Sequence, residues 1–179
     1  RIVCLANLRA QKDHINLLNA FKMVSKSNPN WTLHLVGHDF NDAYSSAIKY
    51  FIKKQKLEKH VFIYGSCTDT THVLNQGAVG VLSSKSEGLP LALLEYGLSA
   101  LPVIVTNVGE CNLVVSRREE GQLIPSENPQ AFADAIIMYI NNKDLRLRVG
   151  KQLQLKVKSS YSESNAINSL IEIYKQYKR

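Results

Sequence analysis

The feature that most constrains this chain is an alternation: a short run rich in Val, Ile and Leu, then a longer segment whose apolar residues recur every three to four positions. Continuous apolar runs of this length read as buried strands, and the longer periodic segments read as amphipathic helices. Strands separated by whole helices pair in parallel, because antiparallel neighbours need only a short turn between them. Strands are predicted over Ile2–Ala6, Trp31–Val36, Val61–Tyr64, Val79–Ser83, Pro102–Thr106 and Gly121–Pro125. Asp13 is the expected N-cap of a helix that turns Ile15, Leu17, Leu18, Phe21 and Val24 inward and ends near Asn28. The second helix, Asp42–Lys56, is expected to bury Ala43, Ala47, Ile48, Phe51 and Ile52. Further helices are predicted over Thr70–Gln76, Pro90–Ser99, a short one capped by Asn112, Ala131–Asn142, Leu145–Ser159 and Ser164–Tyr177. The fold class is therefore α/β: a doubly wound, Rossmann-like parallel sheet with helices on both faces and a helical C-terminus.

A chain of 179 residues suits one well-packed domain rather than two. No apolar run approaches the roughly 20 residues that span a bilayer. The chain opens on Arg1-Ile2-Val3-Cys4-Leu5, a strand already under way with no initiator Met, so it is expected to be a piece excised from a longer protein. Cys4, Cys67 and Cys111 are odd in number and scattered, with no Cys-x-x-Cys pair, which argues against a disulfide framework or zinc site and fits a reduced cytoplasmic setting. The formal charge is +7, and from Lys143 to Arg179 nine Lys or Arg face only three acids. Such a basic tail suits an anionic membrane face, nucleic acid or plain solvent, and solvent is the reading favoured here.

Packing alone accounts poorly for one stretch, Ser86-Glu87-Gly88-Leu89-Pro90-Leu91-Ala92-Leu93-Leu94-Glu95-Tyr96-Gly97. Pro90 presets the torsion of a first helical turn and lacks the donor such a position leaves unpaired, so a helix is expected to begin there. The free N–H groups of that turn and the positive end of its dipole form an anion site, and Gly88 would let a ligand approach the backbone. Glu95 then stands in a helix with almost no polar face. It either reaches solvent or serves a ligand's hydroxyls, since an unpaired buried carboxylate is costly. Glu87 reads equally as a loop acid that stabilises the helix dipole. In open parallel sheets ligands collect beyond the carboxyl ends of the strands. That edge should gather the loops at Asn7–Lys12, Gly37–Asp39, Tyr64–Cys67, Glu87–Pro90 and Asn107–Glu110.

No Gly-x-Gly-x-x-Gly follows the first strand and no Gly-x-x-x-x-Gly-Lys-Ser/Thr occurs, so a dinucleotide loop and a P-loop ATPase are not indicated. His14, His34, His38, His60 and His72 have no ligand-like spacing, and no nucleophile-elbow pattern supports a hydrolase.

The acid pair Glu87-x7-Glu95, followed by Leu-Pro-Val-Ile-Val-Thr-Asn-Val-Gly, resembles the donor-binding half of retaining, group 1 glycosyltransferases of GT-B fold. Ala-Asn-Leu-Arg-Ala-Gln-Lys-Asp-His, Leu-His-Leu-Val-Gly, Phe-Ile-Tyr-Gly and Gly-Gln-Leu-Ile-Pro look like that family's landmarks in order, so the resemblance covers nearly the whole chain. It implies that Glu95 binds the ribose hydroxyls of a nucleotide and that Glu87, the residue assigned to catalysis, contacts the donor sugar. By the same resemblance the backbone at Gly88, Leu89 and Pro90 lies against sugar and diphosphate, and Lys12 neutralises the diphosphate without any metal. The family often has Gly-Arg-Leu where this chain has Ala6-Asn7-Leu8. Arg9, two residues on, is the expected substitute for that guanidinium, with Asn7 beside it in the donor site.

The resulting expectation is a domain that takes a nucleoside diphosphate sugar, most readily a UDP-sugar. It would serve an enzyme that transfers a hexose to a glycan or lipid-linked acceptor in polysaccharide assembly, at the inner face of a membrane. The partner supplying the acceptor site would be a preceding domain, without which this fragment transfers nothing. The alternatives are half of a sugar-nucleotide epimerase, or a non-catalytic regulatory domain whose basic tail contacts nucleic acid or lipid. Scarce aromatics along that tail argue against nucleic acid.

Overall fold

The computed structural model describes residues 1–162 together with 165, 167, 171, 172, 174 and 175. Strands β1 (Ile2–Leu5), β2 (Leu33–Val36), β3 (Val61–Tyr64), β4 (Val79–Leu82), β5 (Val103–Thr106) and β6 (Gln122–Ile124) form one parallel sheet, ordered β3-β2-β1-β4-β5-β6. Helices α1 (His14–Ser27), α2 (Ala43–Lys54) and α6 (Pro129–Asn141) pack on one face. Helices α3 (Thr70–Leu74), α4 (Leu91–Leu98), α5 (Cys111–Val114) and α7 (Lys143–Ser160) lie on the other. The doubly wound α/β expectation holds. The helix expected over 164–177 lies largely outside the described residues.

The central strands β4 and β5 are buried along their whole length, as their unbroken apolar runs require of strands covered on both faces. Helix α7 reaches α4 closely enough that a Cβ on Gly97 would fall 2.5 Å from Val157 Cγ2, so this contact needs a glycine.

The order of the strands sets the position of the site. The chain runs from β1 outward to β3, then returns to lay β4 against the other side of β1, which places the topological switch between β1 and β4. These two strands pair only at Ile2 with Val79 and Val3 with Gly80, and then part. Tyr96, fully buried on α4, fills the opening. Its hydroxyl accepts from the Leu5 N–H at 2.6 Å and donates to the Val81 carbonyl at 3.1 Å, satisfying groups the parted strands would leave unpaired. Gly80 makes room, since a Cβ there would lie 2.9 Å from the Tyr96 ring.

Several local expectations shift. Pro90 is the N-cap of α4, not its first residue, with ψ 107 and its carbonyl accepting from the Leu93 N–H. Asn112 lies inside α5, whose N-cap is Glu110. Ala43 and Ala47 are exposed; the buried stripe of α2 is Ser45, Ile48 and Ile52. Burial of Ser45 is tolerated because its hydroxyl bonds back to the Asp42 carbonyl. Ala10–Lys12 forms a 3-10 turn that the periodicity did not reveal.

Candidate donor site at the carboxyl edge of the sheet

A cleft of about 450 Å³ opens where β1 and β4 part, lined among others by Asn7, Lys12, Gly37, Glu87, Pro90 and Glu95. Three chain segments far apart in sequence build it. The first follows β1. Its 3-10 turn ends at Asp13, whose left-handed backbone (φ 46) starts α1 and whose carboxylate caps Asn16, and this reversal brings Lys12 over the cleft. The second follows β2, where Gly37 crosses so close to β1 that a Cβ would sit 2.3 Å from the Ala6 carbonyl oxygen. The third is the Ser83–Pro90 loop and the start of α4.

Lys12 and Glu87 meet directly. The ammonium donates to both carboxylate oxygens, at 2.7 and 2.8 Å, with side-chain exposures of 20% and 6%. The Ser84 hydroxyl donates to the same carboxylate at 2.5 Å. Gly109 supports the loop from behind. Its φ of 53 and its approach to the Glu87 carbonyl, where a Cβ would lie 1.8 Å away, admit no other residue. The neighbouring Glu110 N–H donates to the Gly88 carbonyl at 3.3 Å.

Glu95 is half-buried on the cleft wall and makes no ion pair among the described residues. Among the described residues no side chain caps the start of α4, so the amides of Leu91 and Ala92, both cleft residues, carry the partial positive charge of an uncapped helix start. Leu89 and Pro90 line the same wall, while Gly88 is exposed beside it with open space where a Cβ would stand.

Two residues behave differently from expectation. Arg9 does not line the cleft: its guanidinium carbon sits 4.5 Å from the centre of the Phe40 ring. The 3-10 turn that brings Lys12 inward leaves Arg9, at the N-cap, exposed. Asn7 lines the cleft, but its side-chain oxygen already accepts from the His38 N–H at 2.8 Å, tying the first loop to the second. The sequence reading gave no role to Ser83, Ser84 or Thr106 and set Gly109 only within an edge loop; Ser83, Thr106 and Gly109 act through partners distant in the chain, whereas Ser84 donates to Glu87 three residues on. Behind Lys12, His14 is fully buried with neither ring nitrogen in hydrogen-bonding geometry. Burial pulls its pKa down to about 4, only partly offset by the nearby Ala6 backbone.

A second groove of about 500 Å³ runs along the sheet face past His34 and Tyr64 and shares Val36, Ser66 and Cys67 with the cleft. Among the described residues Arg1 is the one Lys, Arg, Asp or Glu that lines it, so the opposed charges belong to the cleft. Among the described residues no three His, Cys, Asp or Glu side chains gather as metal ligands, and no helix is long and apolar enough to cross a membrane.

Residues 1–156 match the family model described as glycosyl transferases group 1. The chain belongs to this family. It is 26% identical over 175 residues to the UDP-Gal:alpha-D-GlcNAc-diphosphoundecaprenol alpha-1,3-galactosyltransferase of Escherichia coli, covering 95% of this chain and 44% of that protein. It is also 26% identical over 176 residues to the putative glycosyltransferase EpsD of Bacillus subtilis, covering 98% and 45%. The chain thus spans about half the length of the curated relatives it matches. Among solved structures, Anabaena HepE in complex with UDP superposes with a TM-score of 0.91 at 19% identity, covering 98% of this chain and 48% of that one. The C-terminal domain of a group 1 glycosyl transferase from Francisella tularensis gives 0.81 at 23%, covering 90% and 86%. This group 1 domain therefore has the Rossmann-like fold of the family's GT-B C-terminal half.

Proposed function

We propose that this group 1 domain binds the donor of a glycosyl transfer, a nucleoside diphosphate sugar, with UDP as its nucleotide. The observation that carries the reading is the convergence of Lys12, Glu87, Glu95 and the uncapped start of α4 on one cleft. In this reading the Lys12 ammonium and the amides of Leu91 and Ala92 receive the diphosphate. Glu95 accepts from the ribose hydroxyls, Glu87 accepts from hydroxyls of the sugar, and the backbone from Gly88 to Pro90 lies alongside. Breaking the anomeric C–O bond builds negative charge on the departing diphosphate, and a cation with a helix N-terminus already aimed at that position lowers the barrier. Those groups supply the neutralisation that a metal would otherwise give. UDP in the HepE complex and in the name of the Escherichia coli relative supports the choice of base.

The sugar transferred is a hexose and the acceptor a glycan or a lipid-linked sugar, as the diphosphoundecaprenol substrate in that relative's name suggests. The acceptor site lies on the remainder of a longer enzyme, so this chain alone binds nucleotide weakly and transfers nothing. Isothermal titration with UDP, GDP, ADP, UDP-glucose and UDP-N-acetylglucosamine tests the reading. Saturable binding that prefers the uridine nucleotides is expected, and heat changes indistinguishable from dilution across the whole panel would reject it.

A further inference from the structure

Glu87 has two kinds of partner. Lys12 spans both carboxylate oxygens, whereas Ser84 donates to Oε1 alone. Ser84 is fully buried and anchored through its own carbonyl, which accepts from Thr106 Oγ1 at 2.6 Å. The adjacent Ser83, also fully buried, serves the opposite partner, its hydroxyl reaching the carbonyls of Lys12 at 2.9 Å and Asp13 at 3.1 Å. Two consecutive side chains at the end of β4 thus hold the two ends of one ion pair whose members are 75 residues apart.

A diphosphate entering the cleft competes with Glu87 for the same ammonium. When the phosphate oxygens take it, Glu87 is left almost buried beside a second negative group. A carboxylate so placed keeps its position and charge only if another donor holds it. The Ser84 hydroxyl is already in place.

We infer that Ser84 is a positioning residue for donor recognition: it retains Oε1 of Glu87 in the cleft while Lys12 exchanges the carboxylate for the diphosphate, which leaves Oε2 facing the hydroxyls of the donor sugar. The inference rests on the donor-binding reading above and adds an order of events to it. Occupation of Lys12 by diphosphate releases Glu87 for the sugar. Of Lys12, Glu87 and Ser84, a nucleoside diphosphate therefore engages only Lys12, and the extra affinity of the intact nucleotide sugar needs Ser84 as well. Ser83 holds Lys12 by its backbone and affects both ligands alike.

The experiment compares dissociation constants for UDP and for UDP-glucose or UDP-N-acetylglucosamine, whichever binds the unaltered chain more tightly. In Ser84→Ala, UDP binds as before and the advantage of the sugar nucleotide falls about tenfold, the scale of one hydrogen bond to a charged group. Ser84→Thr keeps the hydroxyl and restores the advantage. Thr106→Val leaves the hydroxyl but loosens its anchor, and lowers the advantage by a smaller factor. Ser83→Ala weakens both ligands equally. An unchanged advantage in Ser84→Ala, or parallel loss of both ligands in Ser84→Ala and Thr106→Val, overturns the inference. Lack of any uridine nucleotide binding by the unaltered chain instead overturns the donor reading beneath it.

Discussion

Two glutamates in this domain are nearly removed from solvent, and they are held in opposite ways. Glu120, 2% exposed, closes on its own loop: it accepts from the backbone and hydroxyl of Ser116 at 2.8 and 2.9 Å, and from Arg117 three residues away. Burial by itself would raise its pKa, but these hydrogen bonds hold it below the usual carboxylate value. Glu87 is held by Ser84 and by a lysine brought from the far side of the sheet's switch point, at the mouth of a cleft. A buried acid whose partners are all local locks a loop. One whose cation arrives from another segment and whose neighbour Glu95 has no ion pair among the described residues belongs to a place where a ligand can replace that cation's partner.

The comparison predicts that the two loops fail differently. Lys12→Ala should cost the most, about a hundredfold or more in UDP affinity, the scale on which truncating one member of a desolvated charge pair acts. Titration calorimetry reads it directly, and retained affinity would show that the cleft's cation is not the nucleotide's.

Acid should act next. The His14 side chain sits beneath the Lys12 loop with a pKa near 4, below the ordinary 6.5 of the unfolded chain. Between those values the unfolded state binds more protons than the folded one, so stability falls as pH drops from 6.5 to 4, by about 3 kcal/mol in all. Urea unfolding at several pH values checks the slope. His14→Leu should flatten it, and a slope of opposite sign or an identical slope in that variant would contradict the burial argument.

Glu120→Gln should remove about 2 kcal/mol of stability, because the amide loses the charge that makes its bonds to Arg117 and Ser116 strong. Its UDP affinity should be unaltered. A thermal shift with unchanged calorimetry would separate this loop from the cleft, whereas a fall in affinity would erase the distinction drawn above.

What could be read in advance follows the same division. The sheet, its parallel sense and the α1 cap at Asp13 were legible because periodicity and capping are local in sequence. The strand-end rule set the Asn7–Lys12 and Glu87–Pro90 loops on one edge, but the roles of Lys12 and Glu87 there came only through resemblance, since no local pattern says which side chains a switch point will join. Ser83 and Ser84 read merely as strand-end residues: Ser83 bonds to carbonyls as far as 71 residues away, and Ser84, which donates to Glu87 three residues on, is anchored by Thr106 of the next strand. Arg9 misled because nearness in sequence to the family's arginine position does not set a side chain's direction: with the 3-10 turn at Ala10–Lys12 following it, Arg9 is turned out toward Phe40.

The smallest expected effect is also the most specific. Glu95 is half-buried, carries no ion pair among the described residues and lies more than a turn into α4. Glu95→Gln should therefore leave stability unchanged, unlike Glu120→Gln. If its oxygens accept from ribose hydroxyls, the neutral amide weakens those bonds and lowers UDP affinity about tenfold, equally for UDP and UDP-sugars, unlike Ser84→Ala. The cause can be isolated by removing the hydroxyl rather than the acid. The unaltered chain should bind 2′-deoxy-UDP several-fold more weakly than UDP, while Glu95→Gln should bind the two nearly alike, because the interaction each change deletes is the same one. Losses that simply add in the combination would mean that the carboxylate and the ribose do not touch, and the ribose would have to be sought along the groove past Ser66 and Cys67.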